Sequence, residues 1–297
     1  MVERLVEALS YPPIQRAVVA SCLCGVSCSL LSVFVVLLRL PLIGVAMSHA
    51  ALAGAVLGML LGLDPFACGF ALCLLTAASI GPLADRADLA PENTLGILFS
   101  FLIGIAFLGM GVLARSKAEA LNLIWGSILT VSRAELLILA VVTAALLLFV
   151  LLLFKEIQAV LFNRRLAAAS GVPERAVYYL LLILTGAVVS ANLATVGGLL
   201  IFALIVQPGA TAYQLTYDLR RFFVVAAASG TGACLLGLLV SYVLDWPSGA
   251  SIVLVATTIF TAAFILSPKR LARGKRAGGR AGSGKVEGGT ANGSRIA

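Results

Sequence analysis

Long apolar runs separated by short polar stretches dominate the sequence. Nine runs occupy residues 16–38, 42–62, 65–81, 94–114, 134–154, 176–194, 196–213, 221–243 and 250–267. They lack the alternation that is typical of strands, and about twenty helical residues cross the hydrocarbon core of a bilayer. The pattern therefore predicts an all-α fold, a polytopic membrane helical bundle. Because the third and seventh runs are short, eight and nine transmembrane helices both stay open.

The composition supports a membrane protein and argues against catalysis by this chain. Hydrophobic residues make up 61% and charged residues 11% of the sequence, whereas soluble domains are more polar. Carboxylates are almost absent from the apolar runs, and the chain has one histidine. A hydrolytic site needs a base with an orienting acid, and a proton- or sodium-driven carrier needs buried acids. We therefore expect a transport protein whose driving energy comes from elsewhere.

The positive charges predict an orientation. Lys and Arg number 21 against 13 Asp and Glu, but aromatic residues are not interleaved with them, so nucleic-acid binding is not expected. With nine spans and the C-terminus in the cytoplasm, most of the Lys and Arg residues fall on the cytoplasmic side, in line with the positive-inside rule.

The two ends of the chain differ in composition from its middle. Residues 1–15 are predicted to be an amphipathic segment, and residues 16–267 a transmembrane domain. Residues 268–297 are rich in Gly, Ser, Lys and Arg and are predicted to be a disordered basic cytoplasmic tail. The tail sequence GRAGSGKV resembles a phosphate loop, but Val286 stands where Ser or Thr binds magnesium, so nucleotide binding is not expected.

His49 is the most distinctive side chain of the apolar runs. Ionisable residues within the membrane are functional candidates because they are costly to keep there. A neutral imidazole bonded to a backbone carbonyl is the alternative, and both stay open. Three glycines at intervals of four, Gly54, Gly58 and Gly62, predict close approach by another helix.

Two other stretches and the cysteines leave alternatives open. Residues 190–198 predict either a tight external turn, which nine spans favour, or a broken helix that lines a cavity. Residues 163–173, NRRLAAASGVP, predict a short helix that ends at Gly and Pro. This helix is either a docking site for a partner or a positively charged topological anchor. Cys24 and Cys28 are expected to be buried packing residues, with a soft-metal path as the alternative.

Five motifs in register carry a resemblance to a known family. They are LRLPLIG at 38–44 leading to SHA at 48–50, PENTLGILFS at 91–100, GSIL at 126–129, ATVGG at 194–198 and DWPSG at 245–249. Together they resemble the transmembrane permease of zinc, manganese and iron ABC importers, and the likeness runs through residues 16–267.

The resemblance implies an assembly as well as a fold. It implies a type II ABC importer-like permease in the cytoplasmic (inner) membrane of a bacterium or archaeon. A second permease copy, forming a homodimer or heterodimer, a cytoplasmic ABC ATPase dimer that binds ATP and an extracytoplasmic metal-binding protein are the implied partners, besides membrane lipid. No permanently bound cofactor is implied, because the divalent metal ion is the cargo.

The resemblance also implies roles for particular residues. Residues 163–173 resemble the coupling helix that docks on the ATPase, so ATPase coupling is expected of Asn163, Arg164, Arg165, Leu166, Ala167 and Gly171. In the second helix the family pattern is Gly-Asp-Ala-x-Ser-His, and Val45 replaces its aspartate. His49 is therefore expected to be a transient metal ligand between two permease copies, with Ser48 as a polar neighbour.

Weaker candidates and other cargoes complete the prediction. Asn192 and Gln207 place side-chain amides in or beside the membrane and are second-tier metal ligands, with helix–helix hydrogen bonds as the alternative. Imidazole without carboxylate favours zinc, nickel, cobalt or iron over manganese. The other functions considered are an ABC importer of a metal complex or small organic cofactor and an ATP-independent metal channel.

Overall fold

The computed structural model describes residues 11–112, 128, 131–267 and 269, and within these ranges the chain forms helices and no strand. The helices are α1 (Pro12–Leu37), α2 (Ile43–Leu61), α3 (Pro65–Ala87), α4 (Pro91–Val112), α5 (Arg133–Leu152), α6 (Phe154–Phe162), α7 (Arg164–Ala169), α8 (Glu174–Val196), α9 (Gly198–Leu215), α10 (Leu219–Leu244) and α11 (Ser248–Ile265). The predicted all-α bundle is confirmed. The segment 1–10, most of the tail and most of the GSIL motif lie outside the described residues.

Nine of these helices correspond to the nine apolar runs. Eight of them are long and apolar enough to cross a membrane, and α9 contains a shorter apolar helix, Leu200–Leu215. The largest boundary difference is in α3, which continues past Pro82 to Ala87. Its last turns carry Asp85 and Arg86, so the apolar pattern stops there although the helix does not. The hydroxyl of Tyr179 donates to Asp85, which gives this polar turn a partner within the bundle.

The bundle has one basic end, and three contacts define it. Arg164 of α7 approaches Asp85 at the end of α3, Ser267 donates to Gln214 at the end of α9, and Arg220 lies over the ring of Phe154. The Lys and Arg residues of this end are Arg39, Arg86, Lys155, Arg164, Arg165, Arg175, Arg220, Arg221 and Lys269. The opposite end carries Arg16 and Arg133 among the described residues, and Arg16 donates there to the Val131 carbonyl.

Glycines set the packing of α2 against α3. A Cβ added at Gly54 would lie 2.5 Å from the carbonyl oxygen of Cys68, and one at Gly69 would lie 2.7 Å from that of Ala51. The two backbones therefore touch, as the spacing of Gly54 and Gly58 predicts. Gly62 has a different role: it ends α2 with a φ of 69° and has open space around its Cβ position.

The connection between α8 and α9 is a buried break. Gly197 alone separates the helices, with φ 88° and ψ 156°, and it is buried together with Val196. Near the end of α8, Asn192 donates to Ser27 of α1. Ser27 lies about 22 Å along α1 from Pro12, the first residue of that helix, and so lies well inside the bundle. The structure thus places this break inside the protein, whereas a nine-span count alone favours an external turn.

Candidate functional site

The imidazole of His49 is held by the backbone of its own helix. Its Nδ1 lies 2.9 Å from the carbonyl oxygen of Val45, one turn earlier. Because a carbonyl can only accept, Nδ1 carries the proton and donates, which leaves the lone pair of the neutral ring on Nε2. The two alternatives for His49 are therefore compatible: a carbonyl-bonded imidazole is also a correctly oriented metal ligand.

The first part of α2 is accessible only along a narrow line. From Ile43 to Val56 every residue is buried except Val45 and His49, which are partly exposed. These two residues, four apart, share one face of the helix, and we call them the His49 strip. The family pattern places its aspartate and histidine at the same two positions. The accessible positions of this part of α2 are therefore the two positions at which the family pattern has its aspartate and histidine.

One aromatic ring borders the strip. Phe99 of α4 meets the imidazole edge to face, with ring centroids 5.1 Å apart and an interplanar angle of 88°. Such contacts are favourable and directional. Phe99 therefore restricts the orientation of the imidazole from the α4 side while Val45 restricts it from within α2.

The neighbours of His49 along α2 point elsewhere. Ser48 is buried and its hydroxyl donates to the Gly44 carbonyl at 2.9 Å. Met47 is fully buried, and its sulfur lies 3.9 Å from the Sγ of Cys73. Both side chains take part in packing within the protomer, so His49 is the polar side chain of this part of α2 that is accessible.

An outlet cavity lies at the basic end, one to two helical turns from the strip. It has a volume of about 350 Å³ and is lined by Val35, Val36, Arg39, Leu40, Pro41, Leu42, Glu92, Leu95 and Val206. Leu95 precedes Phe99 by one turn of α4, which connects the wall of the cavity to the ring beside His49. Sequence reasoning did not identify Arg39 and Glu92 as site residues, although both belong to the family motifs.

Arg39 occupies an unusual backbone conformation at the mouth of this cavity. Its φ is 58°, a left-handed conformation that costs an L-residue about 1–2 kcal/mol. The following amide, that of Leu40, donates back to the Val35 carbonyl and ends α1. This turn places a guanidinium in the same cavity as the Glu92 carboxylate.

The two amide candidates lie in other helix interfaces. Asn192 is fully buried and donates to the hydroxyl of Ser27 at 3.2 Å and to the Val188 carbonyl at 2.7 Å. Gln207 donates to the hydroxyl of Thr257 at 2.9 Å. Among the described contacts neither amide bonds to His49. Asn192 therefore links α8 to α1 and Gln207 links α9 to α11, as the helix–helix alternative states.

No closed metal cage exists in the described part of the chain. The Sγ atoms of Cys24 and Cys28 are 4.0 Å apart, and all six cysteines are free. Within the described ranges, no group of three or more His, Cys, Asp or Glu residues is arranged to hold a metal ion. Any ion that passes His49 is ligated sparsely by this protomer, which permits rapid release.

The short basic helix α7 has an inner and an outer side. Asn163 caps it by accepting from the amides of Arg165 and Leu166. Arg164 turns inward to Glu174 at 3.1 Å, and Ala167 is buried, whereas the side chain of Leu166 is 55% exposed. After the helix, Gly171 turns the chain with φ 80°. Of the six residues expected to contact the ATPase, Arg165 and Leu166 face outward, whereas Arg164 and Ala167 face the bundle.

Comparisons with known proteins cover almost the whole chain. The model of the family described as "ABC 3 transport family" matches residues 10–267. The manganese transport system membrane protein MntC of Halalkalibacterium halodurans is 34% identical over 276 residues, which cover 91% of this chain and 94% of that protein. The chelated iron transport system membrane protein YfeD of Yersinia pestis is 31% identical over 261 residues, 87% of each chain.

A solved structure shows the same fold. PsaBC from Streptococcus pneumoniae, in complex with a Fab, superposes with a TM-score of 0.78 at 30% identity, covering 91% of this chain and 97% of that one. The family match over residues 10–267 extends from the first apolar helix to the last and includes both the His49 strip and α7.

Proposed function

The chain belongs to the ABC 3 transport family, and from this premise we propose how its helices carry a metal ion. It is a multi-pass membrane permease, the transport component of a metal ABC importer. The proposal concerns the route of the ion. His49 is a transient ligand through Nε2, and the ion passes between the His49 strips of two permease copies. The observation that carries this proposal is that, between Ile43 and Val56 of α2, only Val45 and His49 are accessible.

The outlet cavity provides the next step of the route. An ion that leaves His49 moves past Phe99 and Leu95 to the cavity that holds Glu92. A carboxylate attracts a divalent cation, and Arg39 in the same cavity limits how long the ion stays. We place the basic end in the cytoplasm, because an excess of Lys and Arg marks that side of a membrane protein. The ion then moves inward from the strip to the cavity.

The two ends of the bundle are where the partner proteins bind. At the basic end α7 presents Arg165 and Leu166 to a cytoplasmic ATPase dimer, which binds and hydrolyses ATP. At the opposite end an extracytoplasmic binding protein delivers the ion. Membership of an ABC transport family and the likeness to PsaBC support a permease that works with partners.

Manganese and iron are the cargoes that we favour. The names of the relatives mention manganese and chelated iron. The imidazole without a carboxylate suits iron better than manganese, so manganese is supported by the relatives alone. Chelated cargo is the second candidate function, because Val45 replaces the carboxylate that would bind a bare ion and one relative is named for chelated iron.

Uptake in proteoliposomes tests this proposal. The permease is reconstituted with its ATPase and binding protein, and uptake of radioactive manganese and iron is measured with and without a chelator. His49→Ala is expected to lower uptake about tenfold or more, as loss of a metal-site group does, while the ATPase still co-purifies. Ser48→Ala is the matched control and keeps wild-type uptake.

Two further outcomes would change the proposal. Wild-type uptake in His49→Ala would exclude a ligand role for the imidazole, and uptake of chelated metal alone would establish the second function. Glu92→Gln tests the cavity: loss of its charge is expected to slow uptake about two- to fivefold, the scale of one partly exposed charge interaction. An unchanged rate would remove the cavity from the route.

A further inference from the structure

Three helices meet at one carboxylate at the basic end. Asp85 lies in the last turns of α3, and its Oδ2 accepts from the hydroxyl of Tyr179 of α8 at 2.6 Å. The Nη2 of Arg164 of α7 lies 3.9 Å from the same oxygen. Asp85 therefore joins α3 to both the short basic helix and the start of α8.

Arg164 has two further partners on α8. It forms an ion pair of 3.1 Å with Glu174, and its guanidinium lies over the ring of Tyr178 with 4.1 Å to the centroid. The Arg164 side chain is 27% exposed and that of Glu174 is 15% exposed, so water screens this pair less than an open surface pair. We call Asp85, Arg164, Glu174, Tyr178 and Tyr179 the Asp85 cluster. It holds α7 against the membrane bundle by charge-assisted contacts.

The packing beneath the cluster leaves little freedom. A Cβ at Gly81 would lie 2.3 Å from the ring of Tyr179, so α3 and α8 are in direct contact beside Asp85. Further along, the backbone of α3 touches that of α2 at Gly69 and Gly54. Densely packed elements of this kind move as units. The packing therefore couples α3 to α8 on one side and to α2, the helix that carries His49, on the other.

From this geometry we infer that Asp85 is a positioning residue of transport: its carboxylate transmits the movement of α7 to α3 and hence to α2. The inference rests on the proposed function, since it assumes that an ATPase moves α7. It adds a particular residue to that function. The chain connects α7 directly to α8, whereas among the described hydrogen bonds and ion pairs only the side chain of Asp85 connects α7 to α3. Without that charge, ATP hydrolysis continues and drives less uptake.

Asp85→Asn is the decisive variant. It keeps the size of the side chain and an oxygen that accepts from Tyr179, but it removes the charge that faces Arg164. The side chain of Asp85 is 34% exposed and lies 3.9 Å from Arg164, so in proteoliposomes that contain the full importer we expect uptake per ATP hydrolysed to fall about two- to fivefold, the scale of one partly exposed charge interaction. Co-purification of the ATPase and the melting temperature of the complex are expected to stay at wild-type values. Asp85→Glu is expected to restore the ratio.

Controls separate this inference from a folding defect and from the proposed function. Arg86→Gln removes a charge from the exposed residue next to Asp85, outside the Asp85 cluster, and is expected to keep the uptake per ATP. A wild-type ratio in Asp85→Asn, or loss of ATPase co-purification in that variant, would overturn the transmission role of Asp85. If the wild-type importer takes up no metal, the proposed function itself fails. If the wild-type importer transports metal and the His49→Ala variant does not, the proposed function stands. A wild-type uptake per ATP in Asp85→Asn then refutes only the role of Asp85.

Discussion

The His49 strip and the Asp85 cluster are built in opposite ways. The strip offers one imidazole among apolar side chains, whereas the cluster joins two carboxylates, a guanidinium and two phenols from three helices. An ion that must leave quickly needs few ligands, and an element that transmits movement needs several directional contacts. In this protein polar groups are thus concentrated where the chain has to hold together and scarce where cargo has to pass.

Adding a carboxylate to the strip would remove this difference. Val45→Asp places an acid one turn before His49 on the same helix face. We expect manganese affinity to rise about tenfold or more and the maximal uptake rate to fall, because the ion leaves a paired site more slowly. Calorimetric titration of the purified complex measures the first effect and proteoliposome uptake the second. Val45→Asn, which has the same shape without the charge, is the control, and equal affinities in the two variants would contradict the prediction.

The contact between α2 and α3 connects the two regions and is open to a test of stability. Gly54→Ala would bring a Cβ to 2.5 Å from a backbone oxygen, and such overpacking costs about 1–3 kcal/mol. We expect a lower melting temperature in detergent and a lower uptake per ATP. Gly104→Ala on α4 is the matched control, since its Cβ meets nothing within 4 Å. Equal melting temperatures would show that the two helices can separate without cost.

The smallest effect is expected at a neutral helix–helix contact. Gln207→Leu removes the hydrogen bond to Thr257, and such bonds within membranes are worth about 0.6 kcal/mol. The variant should unfold at a slightly lower denaturant concentration and transport metal at the wild-type rate. A fall in uptake comparable with that of His49→Ala would instead place Gln207 on the ion route. Polar groups would then not be scarce along that route, contrary to the comparison of the His49 strip with the Asp85 cluster.

Much of the helical framework is predictable from the sequence because lipid requires it. Each apolar run long enough to cross the bilayer becomes a helix, and the short helix at residues 164–169 follows from the Asn before it and the Gly after it. His49 stands out for the same reason, since a lone ionisable group in an apolar run is conspicuous.

The parts that sequence reasoning missed depend on tertiary contacts. Nothing local shows that Asn192 finds Ser27 across 165 positions of chain or that Asp85 finds Tyr179 across 94. The helix α6 is missed because its amphipathic turn, with Ile157 and Val160 buried, directly follows a membrane run. The outlet cavity forms only when α1, α4 and α9 come together, so no single motif indicates it.

The buried break at Gly197 has a consequence for how the protein is made. Because one buried residue, Gly197, joins α8 to α9, we expect that no polar loop has to be carried across the bilayer when this part of the chain is inserted. The two helices enter the membrane as a single hairpin. The positive residues at the two ends of the hairpin, Arg175 in the first turn of α8 and Arg220 in the first turn of α10, lie on one side and favour its orientation.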